Sequence, residues 1–187
     1  LVQSQIRKPY NVVARDDFVS DDITDADGYS LAKGPDLSVQ SGAWSITNES
    51  LRLNRGSGSV PANILIPFSS SLNKPIEVKT YFQTKANANE EVYIILSWTD
   101  SSNFYYAGYN GVKMKVVEVS SGSTTELGTG RPTQSGPTMV TLRVEVSRSN
   151  KLILSVGNSD IIASASTGPI DTLGFRADGV NSFIDFN

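Results

Sequence analysis

The stretch from Val92 to Val119, VYIILSWTDSSNFYYAGYNGVKMKVVEV, decides the fold. It divides into three apolar runs separated by two turn signals, which predicts three consecutive antiparallel β-strands. Asp100-Ser101-Ser102-Asn103 supplies the first turn, because small polar side chains bond to their own backbone there. Asn110-Gly111 supplies the second turn, since this dipeptide tolerates the positive φ angles of a tight type I′ hairpin.

The rest of the chain alternates between apolar and polar residues with the same period of two. In one run, Ile76 and Val78 alternate with Glu77 and Lys79. Strands are predicted at Leu37–Gln40, Ala43–Thr47, Ser50–Asn54, Ala62–Phe68, Ile76–Gln83, Thr141–Ser147, Lys151–Val156, Asp160–Ala165, Thr172–Ala177 and Ser182–Phe186. Because no window shows a sustained helical period, the pattern predicts an all-β, antiparallel two-sheet sandwich with almost no helix.

Length and charge narrow the class of partner. A chain of 187 residues fits one domain with a sizeable core. The net charge is −3 and no basic run is present, so nucleic acid is not expected as a partner. No apolar run approaches the roughly 20 residues that a membrane-spanning helix needs, so no membrane partner is expected.

The chain contains neither Cys nor His. It therefore lacks thiol nucleophiles, zinc–thiolate ligands and the usual general base. It begins at Leu1 without a signal-peptide pattern, which we interpret as a processed chain or a piece of a longer one. Residues 1–14 are predicted to be an N-terminal arm or linker, which either connects domains or packs on another chain of an assembly. Residues 15–187 form the predicted domain.

Several short motifs, taken in order, resemble a known superfamily. After Asp16-Asp17-Phe18 come SGAWSITNESLRL (41–53), SNFYYAGYNGVKMKVVEV (102–119), VTLRVEVSRSNKLILSV (140–156) and TLGFRADGVNSFIDFN (172–187). This order is similar to the concanavalin A-like, laminin-G-like jelly-roll superfamily, in particular to its bacterial and phage carbohydrate-binding-type modules. The resemblance implies a jelly roll whose first and last strands pair, which would bring Asp17 close to Asp185.

Aromatic and polar side chains on the polar phase of their strands suggest a binding surface. The candidate ligand-binding residues are Tyr81, Tyr93, Tyr105, Tyr109, Lys113 and Arg143. Tyr offers stacking area and a hydroxyl, and Arg and Lys offer directed donors, so these residues would line the concave sheet and bind a glycan or polysaccharide. Trp44, Trp98 and Tyr106 fall on the apolar phase and are expected to be more buried.

The leading hypothesis is a non-catalytic recognition module that binds carbohydrate, within a larger extracellular, cell-surface or virion-associated protein. One alternative is a structural or oligomerisation domain of a phage tail or fibre. Another is a polysaccharide lyase or hydrolase. FYYAGYN (104–110) looks like an alginate-lyase strand, which would make Tyr109 catalytic, but the partner His and Arg-rich strand are missing. Adjacent Glu90 and Glu91 point to opposite faces of a strand, so they cannot flank one glycosidic bond.

The acidic loop from Asp21 to Asp27 suggests a structural calcium ion, and no other cofactor is expected. Ca²⁺ takes six to eight oxygen ligands, which clustered carboxylates and carbonyls can supply. The candidate ligands are Asp17, Asp25, Asp27 and Asp185. The alternative is an Asp-rich turn whose carboxylates bond to their own backbone.

Overall fold

The computed structural model describes residues 26–47, 50–54, 61–84, 91–110, 112–132, 140–156, 159–178 and 184–186. Fourteen β-strands lie within these ranges, and the same ranges contain no helix and hence no helix that could cross a membrane. The strands are β1 (Ser38–Ser41), β2 (Ala43–Thr47), β3 (Ser50–Asn54), β4 (Ala62–Leu72), β5 (Ile76–Thr84), β6 (Glu91–Asp100), β7 (Asn103–Tyr109), β8 (Met114–Ser120), β9 (Ser123–Gly130), β10 (Val140–Val146), β11 (Lys151–Val156), β12 (Ser159–Ser164), β13 (Ile170–Asp178) and β14 (Ile184–Phe186). The all-β prediction is confirmed. The predicted arm, residues 1–14, lies outside the described residues.

The strands form two antiparallel sheets of seven strands each. The first sheet has the order β1-β4-β13-β6-β7-β8-β9, and the second has the order β12-β11-β10-β5-β14-β3-β2. Strands β6 to β9 form a meander in the first sheet, and β10 to β12 form one in the second. Most other connections cross from one sheet to the other, which gives the predicted jelly-roll sandwich.

The core lies between the two sheets and follows the alternation read from the sequence. In β10, Val144 and Val146 are buried, while Arg143 and Glu145 on the opposite phase stay partly exposed. Trp44 on β2 is 1% exposed, as predicted. Burying apolar side chains of this size is the main favourable term in folding, at about 1.5–3 kcal/mol for each Val or Leu side chain.

Glycine lets the backbone pass closely at both edges of the sandwich. Gly42 joins β1 of the first sheet to β2 of the second with a φ of +86°, and a Cβ there would lie 2.5 Å from the Ala62 side chain. At the opposite edge, a Cβ on Gly130 of β9 would lie 2.4 Å from the Ile161 side chain of β12. Side chains larger than hydrogen would therefore push the sheets apart at these two points.

The turns are partly as predicted. Asp100 accepts a hydrogen bond from the Ser102 backbone N–H at 2.7 Å, which confirms the first turn. The prediction of a tight hairpin at Asn110-Gly111 is wrong. The last paired residues of β7 and β8 are Tyr109 and Met114, so the connection is longer than a two-residue turn. In that loop the Asn110 side chain accepts from the Lys113 backbone N–H at 2.6 Å.

The two-residue turn with positive φ lies at Ser121-Gly122, with φ of 51° and 78°. It leads into β9, a strand that the alternation of apolar and polar residues does not predict.

The expectation that Trp98 is a core residue is also wrong. The pairing of β6 with β7 shifts by one residue between Ile95 and Ser97. This bulge turns Trp98 to the face of the first sheet that points away from the core, where its ring lies 4.7 Å from that of Phe104.

Lys74 ties three connections together at one end of the sandwich. Its ammonium group donates to the Asn150 side chain, to Thr167 Oγ1 at 3.2 Å and to the Gly168 carbonyl at 2.7 Å. Lys74 precedes β5, Asn150 ends the turn after β10, and Thr167 and Gly168 lie between β12 and β13. Three oxygens from two different loops thus satisfy all three donors of the ammonium group.

We expect Gly108→Ala to destabilise the protein by about 1–3 kcal/mol, the range for an overpacked site. A Cβ at this position would lie 2.0 Å from the Val92 carbonyl oxygen and 2.6 Å from the Tyr93 Cα, and backbone atoms cannot move aside cheaply. The measurement is the free energy of unfolding in denaturant. Gly122→Asn is the control, because its site is open and Asn tolerates positive φ. Equal stability of Gly108→Ala and the parent would contradict the packing described.

Replacing Lys74 by Met should lower the free energy of unfolding by about 2 kcal/mol, since charge-assisted hydrogen bonds are lost and the buried Thr167 hydroxyl loses its donor. Lys151→Met removes the same charge from an exposed position at the start of β11 and should change stability little. Thermal and denaturant unfolding of both variants gives the comparison. Similar losses in the two variants would show that charge, not the Lys74 contacts, is responsible.

Candidate functional site

The predicted ligand-binding residues do not share one face. Tyr93, Tyr105, Tyr109 and Lys113 belong to the first sheet or to its loops, whereas Tyr81 and Arg143 belong to β5 and β10 of the second. The core separates the two sheets, so the expectation of a single concave surface lined by all six residues is wrong. Alternation reveals the phase of a side chain along its strand, but it does not reveal the sheet to which that strand belongs.

Tyr93 is a structural residue, not part of an open face. It is 1% exposed, and its hydroxyl donates to the Glu91 carboxylate. Its ring meets the Tyr106 ring edge to face, with centroids 4.8 Å apart and planes at 70°, a favourable aromatic geometry. The predicted exposure of Tyr93 is therefore wrong, because β6 is buried on both of its faces.

Tyr109 and Tyr105 face the inside of the sandwich. Tyr109 is 3% exposed, and burial raises the pKa of its hydroxyl. Tyr105 lies nearer the rim and donates to Glu118 at 2.5 Å. Burial first, and then the hydrogen bond and negative charge of Glu118, raise the Tyr105 pKa to about 12. Tyr106, which was expected to be the more buried residue, is instead partly exposed on the opposite face.

A ring cluster covers part of that opposite face of the first sheet. The Arg176 guanidinium lies 5.6 Å from the Phe104 ring centroid and 5.1 Å from that of Tyr106, within the range of cation–π attraction. Arg176 also donates to the Asn63 side chain at 3.1 Å. These contacts make the cluster a packed surface that holds β4, β13, β6 and β7 together.

Arg143 is the centre of a polar cluster on the face of the second sheet that points away from the core. Its Nε and Nη2 donate to Glu77 Oε2 at 2.9 and 2.6 Å, and Nη2 also donates to Glu145 Oε2 at 3.1 Å. Glu77 and Glu145 are directly opposite each other on β5 and β10, an arrangement of like charges that is unfavourable alone. Arg143 compensates both carboxylates and fixes their positions. We call these three residues the Arg143 cluster.

An apolar pair continues the same row across the sheet. Glu145 pairs with Ile153 on β11, and Ile153 pairs with Ile162 on β12. Ile162 is 65% exposed. With strands about 4.8 Å apart, the row from Glu77 to Ile162 spans roughly 14 Å. Tyr81 is in register with Thr141 on the same two strands as the Arg143 cluster, and its side chain is outside what the structure describes. This face therefore presents hydrogen-bond donors, hydrogen-bond acceptors and an apolar surface along a row of roughly 14 Å.

Lys113 belongs to a different place, a surface pocket of about 380 Å³ at the end of β8 and β9. Its ammonium group bonds to Glu126 at 2.9 Å, and Lys115 lies 3.8 Å from both Glu126 and Glu91. The hydrogen bond from Lys113 lowers the pKa of Glu126. Lys113 was among the predicted ligand-binding residues, but the rest of the pocket was not, because β9 was not predicted. The Ser121-Gly122 pair and the Thr-rich run after it were the available signal.

The calcium hypothesis stays a prediction. Asp17 and Asp25 lie outside the described residues, and of Asp185 only the backbone is described, in β14 between Arg52 and Gln83. Asp27 accepts a hydrogen bond from the Val39 backbone N–H at 2.8 Å, so one of its oxygens stabilises the loop before β1. Within the described ranges, no three acidic side chains come close enough to hold a metal ion.

The sequence and the fold were compared with those of known proteins. No protein-family model and no curated protein matches the sequence. Among solved structures, the chain is similar to carbohydrate binding module CBM66 from Bacillus subtilis, with a TM-score of 0.64 and 14% identity over 81% of this chain and 91% of that one. It is also similar to a GH43 protein from Bacillus licheniformis, with a TM-score of 0.65 and 18% identity over 96% of this chain and 39% of that one.

A third similar structure is the exoplasmic/lumenal domain of VIP36 in its form bound to Ca²⁺ and Man3GlcNAc. Its TM-score is 0.62, with 14% identity over 80% of each chain. At these identities the likeness concerns architecture. Together with the strand order of the two sheets, it shows that the chain has a jelly-roll β-sandwich fold.

Proposed function

We propose that the chain is a carbohydrate-recognition module and that it binds glycan on the outer face of the second sheet. The observation that carries this proposal is the Arg143 cluster, in which a guanidinium and two carboxylates are held in fixed positions at a solvent-facing surface. The names of similar structures support the same class of ligand, since they include a carbohydrate binding module and a domain bound to an oligosaccharide.

The chemistry of this face suits a neutral sugar. Each sugar hydroxyl can donate one hydrogen bond and accept others, so a surface that presents both N–H donors and carboxylate acceptors can bind vicinal hydroxyls. The three side chains hold one another, and ordering them on binding costs little conformational entropy. Ile153 and Ile162 would contact the apolar C–H face of the adjacent sugar residue. We further propose that the module belongs to a larger extracellular, cell-surface or virion-associated protein.

A tyrosine-based lyase is a poorer fit. A tyrosine that abstracts a proton near neutral pH needs a strongly lowered pKa. Burial raises the pKa of Tyr109 instead, and burial together with Glu118 raises the pKa of Tyr105 to about 12. The proposed module is therefore non-catalytic.

The exposed Ile162 favours one second candidate, an assembly domain whose second sheet packs against another subunit of a fibre.

The glycan proposal is tested by screening the parent on a glycan array and then measuring the affinity of each hit for Arg143→Gln. We expect about tenfold weaker binding, since a charge-assisted hydrogen bond contributes roughly 1.5–3 kcal/mol. Arg148→Gln, an equal change of charge in the exposed turn after β10, is the control and should bind as the parent does. Melting temperatures of both variants verify that they are folded.

A parent that binds no glycan, or hits that bind Arg143→Gln as tightly as the parent, would overturn the proposal. A dimer or larger assembly in solution that Ile162→Ser converts to monomer, with no glycan hit, would favour the assembly domain instead.

The environment of Tyr105 predicts how stability falls in alkali. Its pKa is raised from 10.0 to about 12 in the folded protein, so folding favours the protonated hydroxyl. This contribution to stability is complete below about pH 10 and is lost as the pH rises toward 12. Tyr105→Phe should therefore lose less stability than the parent between pH 9 and about 11.5, measured by denaturant unfolding at constant ionic strength. An equal loss of stability in the parent and in Tyr105→Phe would contradict the raised pKa of Tyr105. Glu118→Gln should lose an amount of stability between those of the parent and Tyr105→Phe.

A further inference from the structure

The pocket beside β9 is separate from the Arg143 cluster. It has a volume of about 380 Å³ and is lined by Val112, Lys113, Thr129, Gly130 and Arg131. Val112 and Lys113 come from the loop after β7, and the other three come from the end of β9 and the residue after it. Met114 pairs with Gly130, and Lys115 pairs with Thr129, so the sheet holds the two walls at a fixed separation.

The described side chains around the pocket carry more positive than negative charge. Lys113 is neutralised by Glu126, and Lys115 lies between Glu126 and Glu91. Arg131 is exposed, and no carboxylate of the described residues lies within ion-pair distance of it. Among the described residues, three cations and two carboxylates thus leave one positive charge at the pocket, in a chain whose net charge is −3. This charge lies on the Arg131 guanidinium, which has no carboxylate partner in the part of the chain that the structure describes.

We propose that this pocket binds the carboxylate of an acidic sugar residue, such as a uronic acid of a polysaccharide. The inference rests on the proposed function in that the ligand is a glycan, but the site and its residues are different. A guanidinium can bind a carboxylate through two parallel N–H donors, which adds directional specificity to the charge attraction. Lys113 lines the same pocket, and its ammonium group is already paired with Glu126.

The other lining groups fit a sugar better than a free inorganic anion. Val112 is 50% exposed, and its apolar side chain suits the C–H face of a pyranose ring. The Thr129 hydroxyl can donate to a ring hydroxyl and accept from another. Gly130 contributes its backbone to the pocket wall. A small anion would use Arg131 alone and leave these groups uncovered.

The test uses oligosaccharides of galacturonic, glucuronic and mannuronic acid, together with their methyl esters, which keep the ring but lose the charge. Binding to the full chain is measured by calorimetry, and the site is located from NMR shifts of the Val112 and Gly130 amides. At least one acidic oligosaccharide should bind, with its methyl ester about tenfold weaker. Arg131→Gln should lose about tenfold in affinity for the acid and little for the ester, whereas Arg148→Gln, an equal loss of exposed charge, should bind both as the parent does.

Each result decides the matter. Acid binding that needs Arg131 and shifts the pocket amides supports the inference. Binding of neutral glycans alone, acid binding indifferent to Arg131→Gln, or an equal loss in Arg148→Gln overturns it and leaves the proposed function standing. Inorganic phosphate that competes as well as the acidic sugar would show a general anion site and would also overturn it. No binding of any sugar, acidic or neutral, would overturn the proposed function itself.

Discussion

The close approach of β7 to β6 and of β13 to β4 is the constraint on which the first sheet depends. Gly108 pairs with Tyr93 and Gly174 pairs with Leu65, and a Cβ on either glycine would meet backbone atoms of that partner strand. The Tyr93 ring occupies the space beside Gly108, where a Cβ would lie 2.6 Å from its Cδ1 atom. All side chains of residues 92–96 in β6 are buried, so this part of the strand contributes to the core on one side and to the ring cluster on the other.

The tyrosines are therefore used for packing, and the two sheets present different chemistry to solvent. Tyr93 and Tyr109 are almost fully buried, and the Tyr105 hydroxyl is bound to Glu118. On the second sheet, the described positions that point away from the core include the charged residues Glu77, Arg143 and Glu145, which stay partly exposed. This asymmetry explains why the binding surface proposed here is centred on Arg143 and not on an aromatic residue.

The sequence predicted the architecture well, because strands buried on one face keep a period of two. The runs around Val78 and Val144 have this pattern, and their strands lie where predicted. Three features were not predicted from the sequence, each for a physical reason. Tyr93 lies on a strand buried on both faces, where alternation loses its meaning. Trp98 follows a bulge, and one extra residue reverses every later side chain. β9 is polar and Thr-rich, so it lacks the alternating apolar residues by which the other strands were predicted. Because β9 was not predicted, the pocket beside it was not predicted either.

The two polar surfaces differ in how their charge is balanced, and this difference is the reason why a different ligand is proposed for each. Arg143 is compensated by two carboxylates, so an added anion would meet repulsion from Glu77 and Glu145, whereas uncharged hydroxyls can share their hydrogen bonds. Arg131 has no such partner among the described residues, and an arriving carboxylate gains the whole ion pair without displacing one. The two surfaces lie on different sheets, with Arg143 on β10 and Arg131 after β9, and exposed charges are screened within about 8–10 Å at physiological salt. A glycan that carries both neutral and acidic residues would therefore find complementary chemistry on one chain.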